Sequence, residues 1–271
     1  MNKLAKLLKA LSLIATRPWL LNNVLNDSGE WEKYIGKKYG MDKGFPEVDI
    51  CDVLGGEMDD LISPYSFLDG GSLPTDLALL RGLAKGIENC RYFEIGTWRG
   101  ESVANVAMIA EECYTLNLSQ LEIREAGYSE EYIRQYGVLS RQFDNIVHLR
   151  GNSVDYDYPG LNRKFDLIFI DGDHHYEMVK NDSIKVFTHL VHEDSIVVWH
   201  DYARNPETIR YEVMAGILDG TPRQYHNNLY FVSNTLCAVF SKKEWPSRTF
   251  SSPANINKVF NVHLRSIPFE P

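Results

Sequence analysis

From Cys90 onward the chain is built of short apolar runs that stop abruptly, and this rhythm constrains the fold more than any other feature. The runs cover residues 92–95, 114–118, 146–149, 165–170 and 195–199, and the stretches between them are long enough for crossover helices. Such alternation predicts an α/β fold with a doubly wound parallel sheet. Two further runs, 229–232 and 236–240, are separated only by Ser233, Asn234 and Thr235. So short a connection permits only an antiparallel pair. Seven strands are therefore expected, the last of them reversed.

The ends of the chain lack this pattern. Residues 1–71 are expected to form an N-terminal extension or cap, residues 72–241 the main domain, and residues 242–271 an irregular tail. Ser72 or Thr75 offers an N-cap, with Pro74 in the first turn, for a helix carrying Leu77, Leu79, Leu80 and Leu83. Near the start, Leu4, Leu7, Leu8, Leu11, Ile14 and Ala15 recur at helical spacing while Lys3, Lys6 and Lys9 mark another face. The lysines interrupt what a signal peptide would keep apolar. This amphipathic helix can dock on the protein's own body or a second copy, or lie on an anionic membrane surface as a peripheral contact.

The 271 residues carry 28 Lys and Arg against 37 Asp and Glu, a net charge of −9, and 44% of them are hydrophobic. That apolar fraction is ample for a core. The acidic balance disfavours nucleic acid as a partner, because binding it requires a basic face. A small-molecule partner is expected instead. Cys51, Cys90, Cys113 and Cys237 show no CxxC spacing, which fits buried thiols in a reducing, cytoplasmic setting better than a disulfide framework or a zinc site. No apolar run is long enough to span a membrane.

The first strand runs into EIGTWRGES, where Gly96 and Gly100 form a turn and a helix begins near Glu101. In doubly wound sheets ligands sit at such strand ends, where glycine lets backbone come close and a helix start offers amide donors. Trp98 stands where a dinucleotide fingerprint has its second glycine, so an NAD-dependent oxidoreductase is disfavoured. Glu94 reads as an acceptor for a cationic ligand and Ser102 as a donor to a ligand carboxylate; the plainer reading is a structural turn with a solvated glutamate.

The strongest chemical signal lies further on. FIDGDHH places Asp171, Asp173, His174 and His175 where the fourth run stops, and WHDY places His200 and Asp201 at the end of the fifth. Neighbouring strand ends would gather Asp171, His200 and Asp201, and two carboxylates with one imidazole suit a hard or borderline divalent cation. Helix capping by Asp171 and Asp201 is the plainer alternative. His189, His192, His226 and His263 lie apart from these motifs and read as surface or packing residues.

Residues 72–241 resemble the class I S-adenosylmethionine (SAM) dependent methyltransferases, in particular the metal-dependent catechol and caffeoyl-CoA O-methyltransferase branch. EIGTWRGES is similar to that family's first motif, DGDH to its strand-four motif, and the closing hairpin to its reversed last strand. The resemblance implies a seven-stranded Rossmann-like methyltransferase sheet with SAM as cofactor. It assigns Glu94, Gly96, Thr97, Trp98, Gly100 and Ser102 to the methionine end, Asn117 to the ribose in place of an acidic residue, and Ser153 to adenine. Asp173 becomes a cofactor contact, and Asp171 a catalytic residue, a cofactor contact and a metal ligand. His174 takes the place of a catalytic lysine, and His200 and Asp201 complete a site for Mg²⁺ or another divalent metal. His200 replaces an aspartate, which lowers the site's negative charge. The implied activity is O-methylation of a hydroxylated small molecule or a glycan, with His174 as base; Trp19, Trp31 and the 50–70 region are candidates for a lid over the acceptor. A non-catalytic interaction protein on the same fold is the alternative, and a homo-oligomer is left open.

Overall fold

The run Phe165–Ile170 forms β5, the buried middle of a sheet, where Leu167, Ile168 and Phe169 lose all solvent exposure. Fully burying such a side chain stabilises by roughly 1.5–3 kcal/mol. On one side β5 pairs in parallel with β2 (Arg91–Ile95), on the other with β6 (Val191–Trp199). Beyond β2 lie β3 (Glu112–Asn117) and β4 (Ile146–Arg150), also parallel. β10 (Ala238–Phe240) then inserts antiparallel between β6 and β9 (Leu229–Val232). This is the expected doubly wound α/β sheet with a reversed last strand, and its order turns back at the β2/β5 boundary.

These coordinates are a computed structural model that describes residues 2–21 and 28–269; the outermost termini and residues 22–27, which fall inside the two predicted end segments, lie outside the described residues. Two compact units divide at Asp42/Lys43, so residues 43–71 belong with the sheet. There β1 (Glu47–Val48) extends the sheet in parallel beyond β9, and β11 (Ser247–Arg248) from the tail closes the edge. Val48, Ile50, Val53 and Trp245 join the same core as β2 and β5. Two-residue strands carry no alternation to read, which is why the sequence does not reveal them. β7 (Ala203–Asn205) and β8 (Thr208–Ile209) form a separate small ladder after β6.

The smaller unit holds α1 (Lys3–Thr16), capped by Asn2, whose side chain accepts from the Ala5 N–H at 2.8 Å. A 3-10 turn, Pro18–Leu21, and a helix, Ser28–Tyr39, follow.

The helix Pro74–Lys85 corrects one expectation. Its N-cap is Leu73, not Ser72 or Thr75, and the cap is supplied from inside the helix: Asp76 Oδ2 accepts from the Leu73 N–H at 2.7 Å. Leucine has no acceptor, so a carboxylate three residues on does the work of a capping box. Cys90, Cys113 and Cys237 are buried free thiols. Among the described residues, no helix is long and apolar enough to cross a membrane.

Candidate active site

Register explains why the site residues meet. Ile95 pairs with both Leu116 and Ile170, and Ile170 pairs with Trp199, so Gly96, Asn117, Asp171 and His200 leave the sheet at one level. Backbone bonds hold that level: Asp171 N–H donates to Ile95 O at 2.8 Å, and His200 N–H to Ile170 O at 3.0 Å. The site therefore sits at the carboxyl ends of strands where the order reverses, the place where open α/β sheets bind ligands.

His200 is its centre. The buried imidazole donates from Nε2 to Asp76 Oδ2 at 3.1 Å. Asp76 is fully buried, with Oδ1 accepting from the Leu236 N–H at 2.8 Å and Oδ2 from the Leu73 N–H at 2.7 Å, so its carboxyl is placed to accept an Nε2–H from His200. Nδ1 then lies 2.9 Å from Asp171 Oδ1 and 3.5 Å from Asp201 Oδ2. It has the correct alignment for a hydrogen bond to neither and is a buried polar atom without a hydrogen-bond partner. One ligand atom from each of Asp171, His200 and Asp201 lies within 4.8 Å of the others.

The electrostatics follow from this packing. Burial works against a charged His200, but Asp171, Asp201 and Asp76 outweigh it and push the imidazole pKa well above its ordinary value. Burial pushes the Asp171 carboxyl up, more than His200 brings it down, with Asp201 and Asp76 adding to the rise. Burial would raise Asp201 also, yet His200, Arg210 and His174 together hold it below the usual carboxylate range; Arg210 Nη2 is 3.3 Å from Asp201 Oδ1. His174 is half exposed, with Nδ1 3.9 Å from Asp201 Oδ2. A small pocket is lined by Asp171, Gly172, Asp173, His174, His200 and Asp201.

Neither Asp171 nor Asp201 caps a helix: His175 precedes the helix Tyr176–Lys185 and Arg210 precedes the helix Tyr211–Gly220. Asp173 instead accepts from the His175 backbone N–H at 2.7 Å. His192 pairs with Asp166 and His226 with Thr221 O, as packing residues.

At the glycine turn the structure corrects several readings. Glu94 is fully buried, neither solvated nor open to a ligand: it accepts from Tyr92 Oη at 2.8 Å and Thr115 Oγ1 at 3.1 Å. Burial pushes its carboxyl up to about 8, against the opposing bonds of Ser102 and Tyr92. Ser102 is thus a partner of Glu94 beneath the turn. Thr97, also buried, is bonded to Thr115. Gly96, at φ 95°, makes its close approach to protein: a Cβ there would stand 2.0 Å from Asp171 O. Gly100, at φ 85°, starts the helix Glu101–Ala107 against Ser140. Trp98 itself adopts a positive φ of 41° and packs on Tyr132, with Arg99 over its ring.

Above the turn, the stretch 60–73 is tied down along the helix Glu101–Ala107. Glu101 accepts from the Ser66 N–H, Asn105 from the Ser63 N–H, and Asp69 O from Arg99. Asn117 ends β3 with a buried side-chain nitrogen that makes no well-aligned hydrogen bond, although Tyr136 lies within its reach. Ser153 bonds Asp182, whose carboxyl burial pushes up to about 6. Sequence reasoning missed Asp76, Arg210 and Asp182. Asp76 carries a readable capping signal, but its partner histidine is 124 residues away, and nothing local announces that.

A family model described as a methyltransferase domain matches residues 93–202, from β2 to just past β6. The chain is 28% identical over 130 residues to the uncharacterized protein R132 of Acanthamoeba polyphaga mimivirus, a stretch covering 46% of this chain and 58% of that protein. The chain thus spans little more than half of this relative's length. Among solved structures it is similar to the O-methyltransferase TomG from Streptomyces achromogenes in complex with SAM, at 16% identity and a TM-score of 0.43, covering 65% of this chain and 83% of that one. It is also similar to the S-adenosylhomocysteine (SAH) bound methyltransferase PaMTH1 of Podospora anserina, at 19% identity and a TM-score of 0.45, covering 67% and 84%. The Bacillus cereus O-methyltransferase in complex with SAH gives 16% identity and a TM-score of 0.43, covering 79% and 100%.

Proposed function

We propose that this chain is a SAM-dependent O-methyltransferase that uses a divalent cation held by Asp171, His200 and Asp201. The carrying observation is the buried Nδ1 of His200, which makes no well-aligned hydrogen bond yet lies 2.9 Å from Asp171 Oδ1 and 3.5 Å from Asp201 Oδ2 at the sheet's switch point. The match of residues 93–202 to a methyltransferase domain supports the reaction class. The residues fit a cation: imidazole and carboxylates are borderline and hard donors, and a carboxylate behind a ligating histidine is a usual orienting partner. Asp76 fills that place.

When bound, SAM would supply a methyl group on a sulfonium, and the cation would lower the pKa of an acceptor hydroxyl. The chain's own residues do the rest. Asp171, His200 and Asp201 fix the acceptor's place, and orientation of this kind lowers a barrier by several kcal/mol. His174 takes the acceptor's proton on Nε2, and Asp201, 3.9 Å from its Nδ1, stabilises the imidazolium so formed. Asn117 offers its side-chain amide to the ribose, Ser153 lies beside the adenine, Asp173 and Trp98 line the cofactor's path, and Gly96, Thr97 and Gly100 serve it through their backbone. Glu94 and Ser102 act from beneath by fixing the turn. The acceptor is a hydroxylated small molecule or a sugar.

Incubation with methyl-tritiated SAM and a panel of hydroxylated acceptors, with Mg²⁺ or Mn²⁺, tests the proposal. Label should pass to an acceptor, fall by at least 100-fold in Asp171→Asn, and fall in His174→Ala while SAM is still retained. Failure of the wild type to retain SAM contradicts the reaction class. Unchanged transfer in Asp171→Asn contradicts the cation site.

A further inference from the structure

The helix α1 has a surface that methyl transfer does not use. Placed at 100° per residue, Leu4, Leu7, Leu8, Leu11, Ile14 and Ala15 fall within about 120° of one face. Leu4, Leu7, Leu8 and Leu11 are each 54–64% exposed. Lys3, Lys6 and Lys9 lie on the adjoining face, and Trp19, 64% exposed, follows in the 3-10 turn. Exposed apolar stripes of this extent mark interaction sites.

Charge identifies the occupant. Residues 1–21 contain Lys3, Lys6, Lys9 and Arg17 and no acidic residue, whereas the whole chain carries −9. A cationic stretch of an acidic protein thus coincides with an apolar helical stripe. An acidic chain is repelled by an anionic surface at long range, but charges farther away than about 8 Å are screened at physiological salt, so the lysine-bearing helix feels attraction once it is close. Leucines on one face, lysines beside them and a flanking tryptophan make the pattern of a helix lying in a lipid interface. Fourteen helical residues are too few to span a bilayer.

We propose that α1 docks this protein on an anionic phospholipid bilayer, the leucine stripe entering the boundary between headgroups and acyl chains and the lysines pairing with lipid phosphates. The proposal is independent of the methyltransferase reading.

Co-sedimentation of the full chain with vesicles of phosphatidylcholine, with and without about one third phosphatidylglycerol, tests it. Binding is expected only with the anionic lipid and should weaken as salt rises. Leu7→Asn/Leu11→Asn should weaken it on the order of 100-fold, about tenfold per leucine. Lys3→Gln/Lys6→Gln/Lys9→Gln should do so by a similar factor, about fivefold per lysine. Leu13→Asn, the same change on the polar side, should bind as the wild type does and controls for loss of the helix. Absence of binding, equal binding to both lipids, or undiminished binding of the leucine pair overturns the proposal. So does a leucine pair that converts a dimer to a monomer on size-exclusion chromatography without vesicle binding by the wild type, because the stripe then covers a second copy.

Discussion

Glu94 shows what a single residue contributes when its surroundings are known. EIGT places a carboxylate next to a turn, but the carboxyl is sealed among Tyr92, Thr115 and Ser102 and, chiefly through burial, titrates near 8 instead of 4.5. Between those values the folded protein keeps a proton that the unfolded chain has lost, so this group's contribution is fully present below pH 4.5 and is lost as pH rises through about 8. Glu94→Gln is permanently in the neutral state. The stability gap between wild type and Glu94→Gln, measured by urea unfolding, should therefore shift in favour of the variant from pH 5 to pH 8; a constant gap contradicts the buried, protonated assignment. Asp76 has a different task. Asp76→Ala removes the carboxylate behind a buried histidine and a helix cap together, which should cost about 3 kcal/mol. Asp76→Asn keeps the shape but loses the charge that holds the Nε2 proton, so ¹⁵N NMR of the metal-free protein should show His200 changing its proton distribution with little unfolding. An unchanged His200 signal would show that Asp76 acts on the helix alone.

At the level of elements, the strand ends carry the design. Ile95, Ile170 and Trp199 stand in register, and a Cβ on Gly96 would stand 2.0 Å from Asp171 O. Gly96→Ala combines a strained positive φ with a backbone collision, so a loss of roughly 3 kcal/mol or more is expected in thermal unfolding; a near-neutral effect would mean the two strand ends can separate cheaply. Much of this arrangement was legible beforehand. The run 165–170 matches β5 and the Ser233–Asn234–Thr235 connection does join an antiparallel pair, because these signals are local. β1 and β11 were not legible, being too short for any period. The Leu73 cap was missed because its acceptor comes from Asp76 within the helix. The expectation that Asp171, His200 and Asp201 meet rested on strand ends alone and agrees with the distances observed; that Glu94 and Ser102 face each other could not be read without the packing around them.

On the scale of the whole molecule, the acidic balance has a location. Asp76, Asp171 and Asp201 surround one imidazole at the sheet's edge, a concentration of negative charge that a cation would relieve. Mn²⁺ at about 100 times its dissociation constant should stabilise the fold by about 2.7 kcal/mol, a rise in Tm of roughly 5–10 °C for a unit of this size. Asp171→Asn should abolish that rise. An equal rise in the variant would place the ion elsewhere on the acidic surface. The central claim is that the glycine turn and the ends of β2 to β6 bind a sulfonium nucleoside, and calorimetric titration with SAH tests it without an acceptor in hand. Saturable binding at one site per chain, weakened at least tenfold in Asn117→Ala, is the expected result. No heat and no binding at millimolar SAH, with the protein folded, would contradict it.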